Sequence, residues 1–264
     1  MTPEGDVMLK SGLYEQIINQ GINEELKSTD KIIRLKNIDE GESSKVLAQY
    51  ASEIIEKGLN QLGDDKLPEK IELINKMIEV IRAKTGDEDF TSMSVDERAE
   101  QLLALLDKEN SKYAIDQNST VIRPETSIAQ SSLFTSAVNE PQLLGELKKE
   151  IVSADRIDMI VSFIKWSGVR RIINELKDFT DKGGELRIIT TSYMGATDVK
   201  AIEELRKLSN TMIKVSYDTK VTRLHVKSYV FYRDTGFTTA YVGSSNLSGA
   251  AISTGREWNV KVTN

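Results

Sequence analysis

The chain has 264 residues, enough for one large or two ordinary domains that each bury a core without covalent staples. It contains no cysteine and one histidine, which excludes disulfides, thiol nucleophiles and zinc sites built from several Cys or His ligands. No apolar run reaches the roughly 18 residues that a membrane span needs, and the first residues lack the regions of a signal peptide, so a cytoplasmic protein with no membrane partner is expected. The net charge of −6 is uneven: residues 1–140 carry 16 basic against 27 acidic side chains, and residues 141–264 carry 19 against 14. The second half has the balance to face an anion.

In chain order, the first part reads as amphipathic helices. Leu13, Ile17, Ile18, Ile22 and Leu26 recur at helical spacing, and so do Val46, Leu47, Tyr50, Ile54, Ile55 and Leu59. A third helix has Pro68 in its first turn and Ile71, Ile74, Met77, Ile78 and Ile81 on one face. A fourth is expected from the capping box Ser94 and Glu97, burying Leu102, Leu103, Leu105 and Leu106. Residues 1–110 thus form a small all-α acidic domain, and 111–138, which shows no sustained period, a connector. The acidic loop at 86–90 has poor metal-ligand spacing and the chain lacks a phosphate-binding glycine loop, so no cofactor or metal is expected.

Residues 139–264 change character. A helix capped by Asn139 leads into an apolar strand near 157–164; a helix near 168–181, the strand LRIIT, the helix DVKAIEELRKLS and the strand MIKVSY follow. This alternation predicts an α/β domain with a mixed, mainly parallel sheet flanked by helices. The last stretch is all strand: HVKSYVFY and FTTAYVGS joined by the turn RDTG, then EWNVKVTN.

The lone histidine, His225, sits two residues before Lys227, so alternation along a strand puts both on one face. Downstream, Gly243, Ser244 and Asn246 fall where a strand ends, and a turn there offers amides, a hydroxyl and a carboxamide to an anion. Each feature alone has a plain structural reading, as a core histidine or a helix cap. Lys165 and Trp166, at a strand's C-terminal end, stand where open α/β sheets place ligand contacts. Arg170, Arg171, Lys214, Lys220, Arg223 and Arg256 are candidates to follow a phosphate backbone.

Taken in order, His225-x-Lys227 on a strand, a hairpin, then Gly243-Ser244-x-Asn246 resembles the signature of the phospholipase D superfamily. Residues 131–173 resemble, more narrowly, the phospholipase D-like module at the front of bacterial DEAD/DEAH-type helicase-like proteins. The resemblance implies a metal-independent phosphodiesterase acting on DNA through a covalent phosphohistidine, with Lys227, Ser244 and Asn246 holding the phosphate. It also implies that Glu257 orients the histidine, because the family's aspartate five residues after the lysine is Tyr232 here. One histidine per chain implies a homodimer with a shared site, and the context implies a C-terminal helicase domain beyond a nuclease module truncated at residue 264. Lys165, Trp166, Gly243, Arg223 and Arg256 are the candidate substrate contacts. The alternatives are a catalytically idle nucleic-acid-binding or dimerisation module, which the missing aspartate favours, and a phospholipid-cleaving enzyme.

Overall fold

The computed structural model describes residues 9–105, 121–137, 140–218 and 223–263, and the chain divides into two compact units at residue 102. In the first unit, α1 (Gln20–Ser28) starts where the Asn19 side chain accepts the Ile22 N–H, seven residues later than the periodicity from Leu13 predicts. Helix α2 covers Ser43–Gln61. Helix α3 (Leu67–Thr85) has Pro68 in its first turn and closes on Gly86, whose φ of 70° is left-handed.

None of these three helices contains a fully buried residue, and Leu47, Ile54 and Val80 are at least half exposed. The predicted fourth helix is absent among the described residues, 94–105. Asp96 accepts the Arg98 N–H and its side-chain N–H, and Ala99 turns to a positive φ of 52°, so a local turn wins over the helix. Leu102, Leu103 and Leu105 are consequently exposed rather than buried; Leu106 lies outside the described residues.

The second unit is built on a seven-stranded sheet of order β1-β7-β6-β5-β2-β3-β4. Its strands are β1 (Ser132–Phe134), β2 (Arg156–Val161), β3 (Glu185–Thr191), β4 (Thr211–Ser216), β5 (Lys227–Tyr232), β6 (Thr239–Gly243) and β7 (Asn259–Thr263). Helices α4 (Leu143–Ser153), α5 (Trp166–Val169), α6 (Ile173–Asp181) and α7 (Val199–Arg206) flank it. The sheet is mixed, but parallel pairing joins only β2, β3 and β4; the other four pairings are antiparallel, so it is not mainly parallel. Helical crossovers stop after β4, and of the antiparallel pairs only β5 and β6 are joined by a short turn, which forces that pairing.

β1 lies inside the predicted connector 111–138 and pairs with β7 at the sheet edge. Three residues are too few to show a period. The Asn139 cap lies outside the described residues, and α4 begins after Gln142.

One face of the sheet carries the core, where Ile157 and Met159 of β2, Tyr229 and Phe231 of β5 and Tyr241 of β6 join Leu147, Ile151, Leu176 and Leu205 of the helices. Under α4 this core holds charge. The Glu150 carboxylate pairs with Lys261 at 3.0 Å and with Arg233, and accepts the hydroxyls of Thr239 and Tyr241 at 2.8 and 3.0 Å. Burial works against that carboxylate, but the charges of Arg233 and Lys261 outweigh it and hold Glu150 below the usual range. Glu146, one helical turn earlier, accepts the backbone N–H groups of Glu125 and Thr126. The two acids fasten the β5–β6 turn, β7 and the segment before β1 to a single helix.

Candidate active site

The pattern of burial along β5 explains where the charges fall. Its inward face is Lys227, Tyr229 and Phe231, all at most 9 % exposed, and His225 lies on the approach to this strand rather than within it. His225 is exposed, so the edge of the core offers an imidazole to solvent with a buried lysine beneath it. The Lys227 Nζ stands 2.9 Å from His225 Nε2. An ammonium only donates, so Nε2 accepts and the ring's proton belongs on Nδ1. Burial pushes the Lys227 ammonium below the usual lysine range, and the charge of Glu257 opposes that shift.

Two consecutive residues after β2 bring the distant pieces together. The Ser162 hydroxyl donates to the Val226 carbonyl at 3.2 Å, and the Phe163 N–H donates to Asn246 Oδ1 at 3.2 Å. Asn246 is 6 % exposed, and among the described residues no hydrogen bond engages its NH2 group, which remains a donor for an anion. Tyr229 braces the same turn from below: its hydroxyl donates to the Ser245 carbonyl at 3.1 Å, and burial raises its pKa far above the ordinary phenol value.

Three amides of the predicted cradle are engaged within the chain. The Ser244 N–H donates to the Trp258 carbonyl, that of Ser248 to the Asn246 carbonyl and that of Gly249 to Ser167 Oγ. Gly243 has a steric role. Its φ is not left-handed, but a Cβ would lie 2.1 Å from the Trp258 carbonyl oxygen, so glycine is needed for close approach to the chain entering β7.

The structure brings Glu257 to Ser244, whose hydroxyl donates to the carboxylate and accepts the Trp258 N–H at 3.1 Å. Among the described residues no hydrogen bond joins Glu257 to His225, so the orienting contact expected for it is absent from this arrangement. The aspartate missing at Tyr232 has no counterpart there, because that ring packs under the Arg156 guanidinium at 3.8 Å.

The expected substrate contacts divide. Lys165 pairs with Asp198 at 3.2 Å, and Trp166 packs on the core with Lys200 over its ring. The Trp166 N–H, with Lys165, holds the Asp198 carboxyl below its usual range. Arg223 is exposed two residues before His225 and lies 5.4 Å over the Tyr193 ring. Arg170, Arg171, Lys214 and Arg256 are also exposed, and Lys220 lies outside the described residues. Sequence reasoning missed Ser162, Phe163 and Ser245; the first two are visible only once β2 is known to pair with β5.

Among the described residues no cluster of His, Asp or Glu could hold a metal ion, and no helix is long and apolar enough to cross a membrane. Residues 147–264 match a family described as cardiolipin synthase, PLD-like domain. Among solved structures the chain is similar to NucT from Helicobacter pylori, with 21 % identity and a TM-score of 0.41 over 50 % of this chain and 84 % of that one. It is also similar to the phospholipase D family member Nuc from Salmonella typhimurium, with 23 % identity and a TM-score of 0.38 over 51 % and 83 % of the two chains. A third, yeast tyrosyl-DNA phosphodiesterase, has 10 % identity and a TM-score of 0.34 over 50 % and 31 %. No curated protein matches the sequence.

Proposed function

Taking residues 147–264 as a phospholipase D-like domain, we propose that this protein is a phosphodiesterase that cuts DNA without a metal, using His225 as nucleophile. The observation that carries this reading is the exposed imidazole whose Nε2 meets the buried Lys227 ammonium beside Asn246. A phosphodiester gains negative charge on its oxygens as it is attacked, and a fixed cation in a partly desolvated site stabilises that charge most. An entering phosphate replaces His225 as the partner of Lys227 and frees the Nε2 lone pair.

Nε2 then attacks phosphorus, forming a P–N bond as the P–O bond to the leaving group breaks. The departing oxygen takes a proton from His225 of the partner subunit in a homodimer, because each chain has one histidine. Water next attacks the phosphohistidine, gives its proton back to that second ring and releases the phosphate monoester. Lys227 and Asn246 hold the oxygens throughout, and the Ser244 hydroxyl, held by Glu257, shapes the rim.

DNA is favoured by the basic balance of residues 141–264 and by exposed Arg170, Arg171, Arg223 and Arg256. The resemblance of residues 131–173 to the front of helicase-like proteins makes this the nuclease module of a larger helicase-type protein in the cytoplasm, with a helicase domain as its C-terminal partner. The acidic residues 1–110 form a separate helical domain in the same reading. Incubation with plasmid and single-stranded DNA in excess chelator tests it: cleavage persists in the wild type and disappears in His225→Ala. Cleavage lost to chelator overturns the mechanism, and cleavage retained by His225→Ala leaves the idle binding module as the better reading.

A further inference from the structure

Ser136 sits beyond the end of β1 in a left-handed conformation, φ 62°, that costs a residue with a Cβ and is otherwise the habit of glycine. The β1–β7 register pairs Phe134 with Asn259, and continuing it sets Ser136 opposite Glu257. The backbone has turned away there, and the side chain takes over the ladder. Ser136 Oγ donates to the Glu257 carbonyl at 3.1 Å and accepts the Glu257 N–H at 3.3 Å.

The turn is itself held in place. Glu140 accepts the Thr135 N–H at 2.6 Å, the Thr135 hydroxyl at 2.9 Å and the Ala137 N–H at 3.4 Å. These contacts draw its pKa below the usual carboxylate range.

Resting on the phosphodiesterase reading, we infer that Ser136 is a positioning residue: by gripping both backbone groups of Glu257 it aims that carboxylate at Ser244 on the rim of the His225–Lys227 site. A hydroxyl suits this position because its single oxygen donates and accepts at once. It does so at a conformation serine does not choose for its own comfort.

The test uses Ser136→Gly, which removes the hydroxyl and accepts the positive φ without strain. Hydrolysis of bis(p-nitrophenyl) phosphate is followed in chelator. The expected result is a kcat lower by about tenfold with KM unchanged, the size of one lost hydrogen-bonded contact, and a melting temperature at or above wild type. Combined with Glu257→Gln, the glycine change causes no further loss, because it acts through that carboxylate. Wild-type kcat in Ser136→Gly, or losses that simply multiply in the double variant, overturn the inference.

A second readout does not need activity. The Glu257 amide exchanges its hydrogen faster in Ser136→Gly while the β7 amides do not change. Unchanged exchange at Glu257 removes the inference by itself. A wild type that fails to hydrolyse the probe removes the phosphodiesterase reading instead.

Discussion

The contact between Lys227 Nζ and His225 Nε2 fixes which ring nitrogen carries the proton, and a chain with one histidine allows that to be read without assignment. A hydrogen bond with a charged donor contributes about 1.5–3 kcal/mol, which at about 1.36 kcal/mol per tenfold is a bias of roughly 10- to 150-fold. The lysine is buried but the histidine is exposed, so solvent competes and the lower end applies. About nine in ten neutral rings should then carry hydrogen on Nδ1 and leave the Nε2 lone pair pointing at the ammonium.

Long-range proton–nitrogen correlation spectra of uniformly labelled protein, taken where the ring is neutral, report the two nitrogens separately. Lys227→Met should abolish the bias, and inorganic phosphate added to the wild type should weaken it as the ammonium turns to the anion. The same variant should lose about 100-fold in kcat or more, as when one preorganised donor is removed from a charge-stabilising site. A wild-type ring carrying its proton on Nε2, unaltered by Lys227→Met, refutes the contact and the role built on it.

Lys227→Met should also change stability with pH. Because burial lowers the lysine's folded pKa, the penalty of charging it is complete below that value and vanishes above the unfolded value of about 10.4. The methionine variant should therefore melt higher than wild type near neutrality, by about 2–4 °C for roughly 1 kcal/mol, with the gap closing in alkali; a gap that widens in alkali contradicts the assignment. Glu150→Gln leaves Arg233 and Lys261 sharing a neutral partner, a loss of about 3–5 kcal/mol and about 10 °C in melting temperature, measured by thermal denaturation. The depressed Glu150 pKa adds stability above the unfolded carboxylate range that disappears as pH falls through the folded value, so the variant should lack that part of the acid limb. Gly243→Ala should cost about 1–3 kcal/mol and most of the activity, since its Cβ meets the Trp258 carbonyl; a fully active alanine variant would show that the strand gives way.

What was legible in the sequence follows physical range. His225, Lys227 and Asn246 sit at strand ends whose alternation and turn residues are local properties, so their places along the strands could be read from spacing, while their convergence came only with the resemblance. The helix starting at Asn19 and the strand at Ser132 could not be. The first depends on one side chain capturing an N–H three residues on, the second on an edge pairing more than 120 residues away. The helix missing over 94–105 shows the converse: a sound capping box and a leucine stripe lost to an aspartate that satisfied the donors of Arg98 locally.

The buried charges were invisible for a different reason. Glu146 and Glu150 read as the polar side of an amphipathic helix, and periodicity has no means of telling a solvated carboxylate from one that three strands will cover. Arg233 belongs to the turn that follows β5, and Lys261 alternates along β7 with valines that face outward. Only sheet order places both over the same turn of α4.

That placement bears on the chemistry. His225 precedes β5, Lys227 opens it, Asn246 follows β6 and Glu257 precedes β7, so the site hangs on three adjacent antiparallel strands that Arg233, Thr239 and Lys261 tie to Glu150 further along. A hinge loosened at that end tilts the strands against one another and alters distances at the other. On the proposed function, the buried acid is therefore expected to set how well the donors assigned to the phosphate stay aligned, although no reacting group touches it.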